Sequence, residues 1–330
     1  MKFIENNQTN PSYNLALENW ILENLIDDSY LMLWRNDKSI IVGRNQNTLS
    51  EINQIFVEEN NIKVVRRMTG GGAVYHDLSN INFSFFTDWD DSKDVDFKEF
   101  ASVLIDFLNS LKIAAKFSGR NDLTINAKKI AGFSYRIWEN RLLFNGAILF
   151  DTDLSMLSKS LNVNYKKFTD KAVKSVSSRV SNIRPHLMID MNIDEFLNML
   201  KLYLFDRFNI EKTYSLDKKD LKSVREIQKD IFDSWARTYG QSFPSNYKNS
   251  RYFTNKGLLE VNIELNKGMI KDIKIYGDFF ADFDKVEIEN KLIGQAFSPY
   301  FVKKALKDIE IEKYLGKITV DDLILTIFDS

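Results

Sequence analysis

The hydrophobic pattern changes period several times along the chain, and each change marks an element. From Ser12 to Leu25 apolar residues recur at helical spacing behind a Pro11-Ser12 start signal, which predicts an amphipathic helix. Tyr30–Trp34 and Ser39–Gly43 are short apolar runs around a polar turn at Asn36-Asp37 and read as strands. Ile62–Arg66 is a further strand that runs directly into Gly70-Gly71-Gly72. Beyond it, Asn80–Phe86 alternates polar with apolar residues as a half-buried strand does, so the glycines are expected between strands. Phe97–Leu111 returns to the helical period. Leu123–Ile125 and Lys129–Ala131 flank a turn at Asn126-Ala127, and Arg141–Phe150 reads as a strand. Helices are expected over Ile193–Phe208 and Leu221–Tyr239, the second ending at Gly240. The polar, Pro-containing stretch Gln241–Asn246 has the character of a linker, which divides the chain into a larger domain, 1–246, and a small α+β domain, 247–330. In the latter, Leu258–Leu265 and Met269–Tyr276 predict a hairpin turning at Asn266-Lys267-Gly268, followed by helices near Pro299–Leu306 and Val320–Phe328. The fold class is α+β, with strands and helices mixed and no internal repeat.

Length agrees with two units: 330 residues at roughly 150 per domain. Lys plus Arg number 45 against 46 Asp plus Glu, so no basic excess draws nucleic acid to the surface, and none is expected as a partner. Cysteine is absent, which removes disulfides, thiolate metal sites and every thiol nucleophile together. The longest apolar run, Tyr30–Trp34, falls far short of the ~20 residues that span a bilayer, and Met1–Asn7 lacks the apolar core of a secretion signal. A cytoplasmic location without a membrane partner is the expectation. An aromatic content of 13% is most simply core packing, Phe83, Phe85 and Phe86 included.

Two stretches carry candidate chemistry. In Arg66-Arg67-Met68-Thr69-Gly70-Gly71-Gly72-Ala73-Val74-Tyr75-His76-Asp77, three glycines let backbone approach a ligand and turn its N–H groups inward. Paired arginines beside them can hold phosphate or carboxylate by forked hydrogen bonds. A hairpin loop with a solvated Arg pair is the bland alternative. A dinucleotide fingerprint is excluded, because Tyr75 stands where it needs glycine and a strand follows, and no P-loop sequence occurs. The second stretch is Ser118-Gly119-Arg120-Asn121-Asp122-Leu123, followed by Lys128-Lys129-Ile130-Ala131-Gly132-Phe133-Ser134-Tyr135-Arg136. Asn121 and Asp122 offer hard oxygen ligands suited to Mg2+ on nucleotide phosphates, and Lys129 offers a compact charge for a phosphate or polarised carbonyl. Singly, such residues are usually a turn aspartate and a surface lysine. Of the two histidines, His186 follows Pro185 in a loop and receives no role.

Together, in this order and separation, the two stretches resemble the signatures of lipoate-protein ligases: Arg-Arg-x-x-Gly-Gly-Gly-Ala-Val-x-His-Asp, then Gly-Arg-Asn-Asp-Leu, then Lys-Ile-Ala-Gly with Tyr-Arg behind it. The resemblance runs through Gly43–Asn47, Gly146–Asp151, Lys174–Ile183 and Ile275–Phe280, essentially the whole chain. It implies a catalytic domain of the biotin/lipoate-ligase type, a mixed sheet with surrounding helices, plus a small accessory domain. By the same resemblance Lys129 is catalytic at the acyl-phosphate junction. Arg67, Gly70, Gly71, Gly72, Ala73, Val74, Tyr75, Asn121 and Asp122 hold the nucleotide or acyl-adenylate, and Asp122 also serves Mg2+. Arg67, Thr69, His76 and Asn145 would contact lipoate, His76 as a substrate contact rather than a base. Two positions depart from the family pattern: Ser79 stands where Gly is usual, and Asn145 where His is usual before Gly146.

The implied activity is ATP-dependent activation of lipoate to lipoyl-AMP, then transfer to a lysine of an apo lipoyl-domain protein, either an E2 subunit of a 2-oxoacid dehydrogenase or the glycine cleavage H protein. The acyltransferase branch of the superfamily works through a cysteine thioester, which a chain without cysteine cannot form. The glycine- and arginine-rich loop of biotin ligases is missing. The alternatives are a lipoate-binding carrier and an octanoate-preferring ligase.

Overall fold

The computed structural model describes residues 1–90, 94–162, 179–240, 243–281 and 283–329. Among them lie fourteen strands: β1 (Lys2–Ile4), β2 (Tyr30–Trp34), β3 (Ser39–Val42), β4 (Lys63–Arg66), β5 (Val74–His76), β6 (Asn80–Asp88), β7 (Lys116–Ser118), β8 (Asp122–Ile125), β9 (Lys128–Trp138), β10 (Arg141–Leu149), β11 (Lys212–Tyr214), β12 (Tyr247–Phe253), β13 (Gly257–Asn266) and β14 (Met269–Gly277). Eight form a mixed sheet in the order β11-β1-β2-β6-β10-β9-β8-β7. A separate three-stranded sheet, β4-β3-β5, carries the glycine-rich stretch between β4 and β5. Thus β2 and β3 flank the polar turn as expected but enter different sheets.

Alternation along β6 divides the large sheet into two unlike faces. Phe83 and Phe85 point to one side, where they join Phe133 and Phe144 from β9 and β10 under the helices Phe97–Ser110 and Ile193–Arg207. On the other side Phe86 joins Met32, Trp34 and Leu143 against the helix Pro11–Asn24. That second face also carries Asn82, Ser84 and Asn145, three buried polar side chains in the middle of a sheet. Buried polar groups of this kind need partners, and they define where the site lies.

Pro11–Asn24 begins as the sequence suggests: Asn10 caps it by accepting from the amides of Ser12 and Tyr13, with Pro11 at the first turn. It is not an ordinary amphipathic surface helix. Leu15, Leu17, Glu18, Asn19, Trp20 and Leu22 are all buried, because the helix is sandwiched between the large sheet and the helix Lys218–Ile227. The expected single helix over Leu221–Tyr239 is three pieces: Lys218–Ile227, a π-helical turn Gln228–Phe232, and Trp235–Tyr239. The break falls where the Ser234 side chain accepts from the Arg237 amide and caps a new helix.

The C-terminal sheet, β12-β13-β14, is antiparallel. Its hairpin turns through Lys267 and Gly268, both at positive φ, and its inner face packs on Val286–Leu292, Pro299–Ala305 and Val320–Phe328. The sequence pattern misses β12 and the first of these helices. Contacts tie this unit to the rest of the chain. Gly277 donates its amide to Asn45 O at 3.0 Å, Arg120 pairs with Asp278 at 3.4 Å, and Phe280 packs among Phe97, Tyr135 and the Arg120 guanidinium. Among the described residues no helix is long and apolar enough to cross a membrane. Lys174–Ser178 and Gln241-Ser242 lie outside the described residues.

Candidate active site

The two arginines before the glycines do different things. Arg66 is buried and donates to the carbonyls of Gly43, Arg44, Gln46, Arg237 and Thr238 and to the Thr48 hydroxyl. Its donors are consumed in holding the 43–48 loop, so the forked anion site expected of the pair does not form at Arg66. Arg67 lines a pocket of about 100 Å³ at the edge of the polar face. It donates to Thr69 Oγ1 at 2.9 Å and to the carbonyls of Ile41, Gly70 and Gly72. Burial lowers its pKa to about 10, against the pull of the Glu18 carboxylate, and leaves it a cation at neutral pH.

From Arg67 a continuous chain of hydrogen bonds crosses the buried face. Ser134 donates to Asn145 Oδ1 at 2.5 Å, so the Thr69 hydroxyl must supply the proton for the 2.8 Å Thr69–Ser134 contact. Asn145 then donates to Glu18 Oε1 at 3.0 Å, Ser84 donates to the same oxygen at 2.5 Å, and the Trp34 indole donates to Ser84. Desolvation raises the Glu18 pKa to about 7, with the two hydrogen bonds opposing it. Asn145, which replaces the usual histidine, is thereby a full member of the network. No motif in the sequence marks Glu18, Trp34, Asn82, Ser84 or Ser134 as a site residue. The available signal was Glu18-Asn19 in the middle of an otherwise apolar helical run.

Lys129 lines the same pocket as Trp34, and the sheet register sets Gly132, beside its Nζ, three strands away from Trp34. Its Nζ pairs with Asp122 Oδ1 at 2.7 Å. Both its backbone groups are bonded, N–H to Arg179 O at 2.7 Å and C=O from Ser181 N at 2.8 Å. Gly132 lies directly under it: a Cβ there would come within 2.6 Å of Nζ and would displace the flexible end of the lysine. Asn121 lines the same pocket and holds the Phe133 carbonyl through Nδ2 at 2.6 Å.

The glycine stretch divides in function. Gly72, Ala73, Val74 and His76 line the pocket. Tyr75, one residue out of phase on β5, instead buries its ring with Ile40, Val42, Ile52 and Val57 on the far side. Its side chain is therefore core, and only its backbone could serve a nucleotide. Gly70 and Gly71 back onto the accessory unit: a Cβ on Gly70 would meet Phe279 O at 2.6 Å, and Gly71 has φ +87° with Phe280 beside it. Ser79 donates its amide to Asp77 and accepts from the Asp151 amide, so the departure from glycine falls in a turn outside the pocket lining.

Comparison with known proteins decides the family. Residues 10–205 match the model of the lipoyl protein ligase A/B catalytic domain, and residues 242–327 match that of the bacterial lipoate protein ligase C-terminus. The chain belongs to the lipoate-protein ligase family. It is 37% identical over 326 residues to lipoate-protein ligase 1 of Staphylococcus aureus, covering 98% of this chain and 99% of that one. Among solved structures it is similar to the lipoate complex of LipL1 from P. falciparum, at TM-score 0.80 and 25% identity, covering 100% of this chain and 99% of that. It is also similar to a lipoate-protein ligase A bound with ATP, at TM-score 0.63 and 26% identity, covering 72% of this chain and 98% of that. The mixed fold and ligase class expected from the motifs hold for this member of the family.

Proposed function

We propose that this ligase activates free lipoate with ATP and lipoylates a lipoyl domain. A carboxylate oxygen of lipoate attacks the α-phosphorus and pyrophosphate leaves. The ε-amine of the acceptor lysine then attacks the acyl carbon of lipoyl-AMP and AMP leaves. The observation that carries the reading is one pocket lined by Lys129, Arg67, Gly72, Ala73 and Val74 together with the buried side chains of His76, Asn82 and Asn145. The acid itself is the nucleophile, so no covalent enzyme intermediate is needed, in keeping with a chain that has no cysteine.

Lys129 would neutralise charge at the acyl-phosphate junction, with Arg67 and the backbone amides of Gly72–Val74 supporting it. Thr69, His76 and Asn145 would line the acyl path. Gly70 and Gly71 would act indirectly, by letting the accessory unit seal the loop and keep water from the adenylate. Mg2+ commonly binds nucleotide phosphates with only one or two protein carboxylates. The partly exposed Asp122 carboxylate fits that part beside Asn121, and no cluster of three or more metal-ligating side chains occurs among the described residues. Residues 1–246 would form the catalytic unit and 247–330 the accessory one. Incubating the enzyme with ATP, Mg2+, lipoate and an apo lipoyl domain tests the reading by mass spectrometry. The acceptor should gain one lipoyl group on one lysine, and an unmodified acceptor with no pyrophosphate released would refute it.

A further inference from the structure

Among the described residues, two buried donors in the pocket have no partner. His76 and Asn82 both line it, at 3% and 2% exposure, and neither His76 Nε2 nor Asn82 Nδ2 makes a hydrogen bond. The proton on His76 can be placed. Asn14 Nδ2 donates to Asn36 Oδ1 at 2.8 Å, which fixes that amide, and Asn36 Nδ2 then donates to His76 Nδ1 at 3.1 Å. Nδ1 is thus the acceptor and Nε2 carries the hydrogen. Burial and the Arg67 charge lower the His76 pKa to about 3, so the ring stays neutral. Unmet buried donors are costly, and each calls for an explanation.

Sheet register tells which end of the pocket they occupy. Gly132, over which Lys129 Nζ lies, pairs with Ala147, Ala147 with Asn82, and Asn82 with Trp34. Directly paired residues share a face, so Asn82 stands two strand spacings from the Lys129 end, about 10 Å. That is comparable to the reach of an extended eight-carbon acyl chain. His76 lies on the same side, because its partner Asn36 follows Trp34 by two residues. The donors therefore face the tail of the acid, not its carboxylate.

Resting on the ligase reading above, we propose that Asn82 and His76 select the sulfur-bearing end of lipoate over the methyl end of octanoate. A dithiolane sulfur is a weak acceptor and can meet an N–H; a methyl leaves both donors buried and unmatched. Sites that hydrogen-bond a substrate group discriminate against the analogue that lacks it for this reason.

The test measures kcat/KM for lipoate and for octanoate from pyrophosphate release, with the full chain, ATP and Mg2+. The wild-type enzyme should prefer lipoate by about tenfold or more. Asn82→Leu, similar in size but without the donor, should lower lipoate use more than octanoate use and shrink the ratio by about tenfold. His76→Phe should shift the ratio the same way, which covers the case of one variant failing to fold. A wild type that uses both acids equally overturns the proposal. So does a pair of folded variants whose ratios match the wild type, since a merely structural role would scale both substrates together. A wild type that activates neither acid overturns the ligase reading instead.

Discussion

Lys129 and Glu18 are the two charged groups whose surroundings say most about their work. Lys129 is held from both backbone groups and by Asp122, so its charge is placed before any ligand arrives. Lys129→Ala should lower adenylate formation by about a hundredfold or more, measured as lipoate-dependent pyrophosphate release. Lys128, exposed at the same turn, is the control and its alanine variant should retain activity. Glu18 makes a different prediction. Its carboxyl titrates at about 7 in the fold, whereas an unfolded glutamate titrates near ~4.3. Between those values the folded state binds more protons, so this group's contribution to stability is full below the lower value and is lost as pH rises through 7. Glu18→Gln keeps an uncharged acceptor for Ser84 and removes the titration. Its melting temperature relative to wild type should therefore climb from pH 5 to pH 7.5, at up to about 1.4 kcal/mol of relative stability per pH unit. A difference that stays flat with pH would show that Glu18 titrates normally.

Elements were legible where local rules act alone and obscure where partners decide. The β8–β9 turn was readable because Asn126 and Ala127 take up left-handed backbone between two apolar runs. The helix from Pro11 was readable in extent but not in setting, since burial of Glu18 depends on Ser84 and Asn145, which lie 66 and 127 residues away. Likewise the Arg66-Arg67 pair is one motif in the chain and two roles in space, because β4 turns one guanidinium into the 43–48 loop and the next into the pocket. The glycine loop shows the same division and can be tested glycine by glycine. Gly71 is left-handed, so Gly71→Val should cost stability, roughly 1–3 kcal/mol, and this loss would cloud any effect on binding. Gly72 is not left-handed, and a Cβ there meets nothing within 4 Å. Gly72→Val should therefore leave the melting temperature nearly unchanged while weakening ATP and lipoate binding, read by calorimetry. Unchanged affinities would remove this loop from the ligand site.

At the scale of the whole molecule the C-terminal unit backs the glycine loop through Phe279 and Phe280, and the Phe280 ring makes the aromatic part of that contact. Phe280 lies 5.1 Å from the Phe97 ring and 5.6 Å, stacked, from Tyr135, with the Arg120 guanidinium 4.8 Å from its centroid. A Cβ on Gly71 would come within 3.3 Å of the same ring. Arg120 also donates to Lys256 O at 2.6 Å and pairs with Asp278, so the residue just before Asn121-Asp122 grips the accessory unit at two points. None of this could be read from hydrophobic period, since Phe279-Phe280 looks like the end of a strand and Arg120 like part of a turn. The geometry ties the packing of the glycine loop to the seating of the second unit. Phe280→Ala should remove about 3 kcal/mol or more of packing, most of it from the contact between units, since the ring's partners Phe97, Tyr135 and Arg120 all belong to the larger unit. Its expected signature is specific: faster amide exchange in residues 69–72 and 277–280, a larger radius of gyration by solution scattering, and near-normal exchange in β6 and β13. With the loop less firmly backed, more lipoyl-AMP should be lost to water per acceptor modified, which the ratio of AMP released to lipoyl-lysine formed measures. A variant that exchanges and scatters like wild type, with that ratio unchanged, would show that Phe280 merely fills space between two independently seated units.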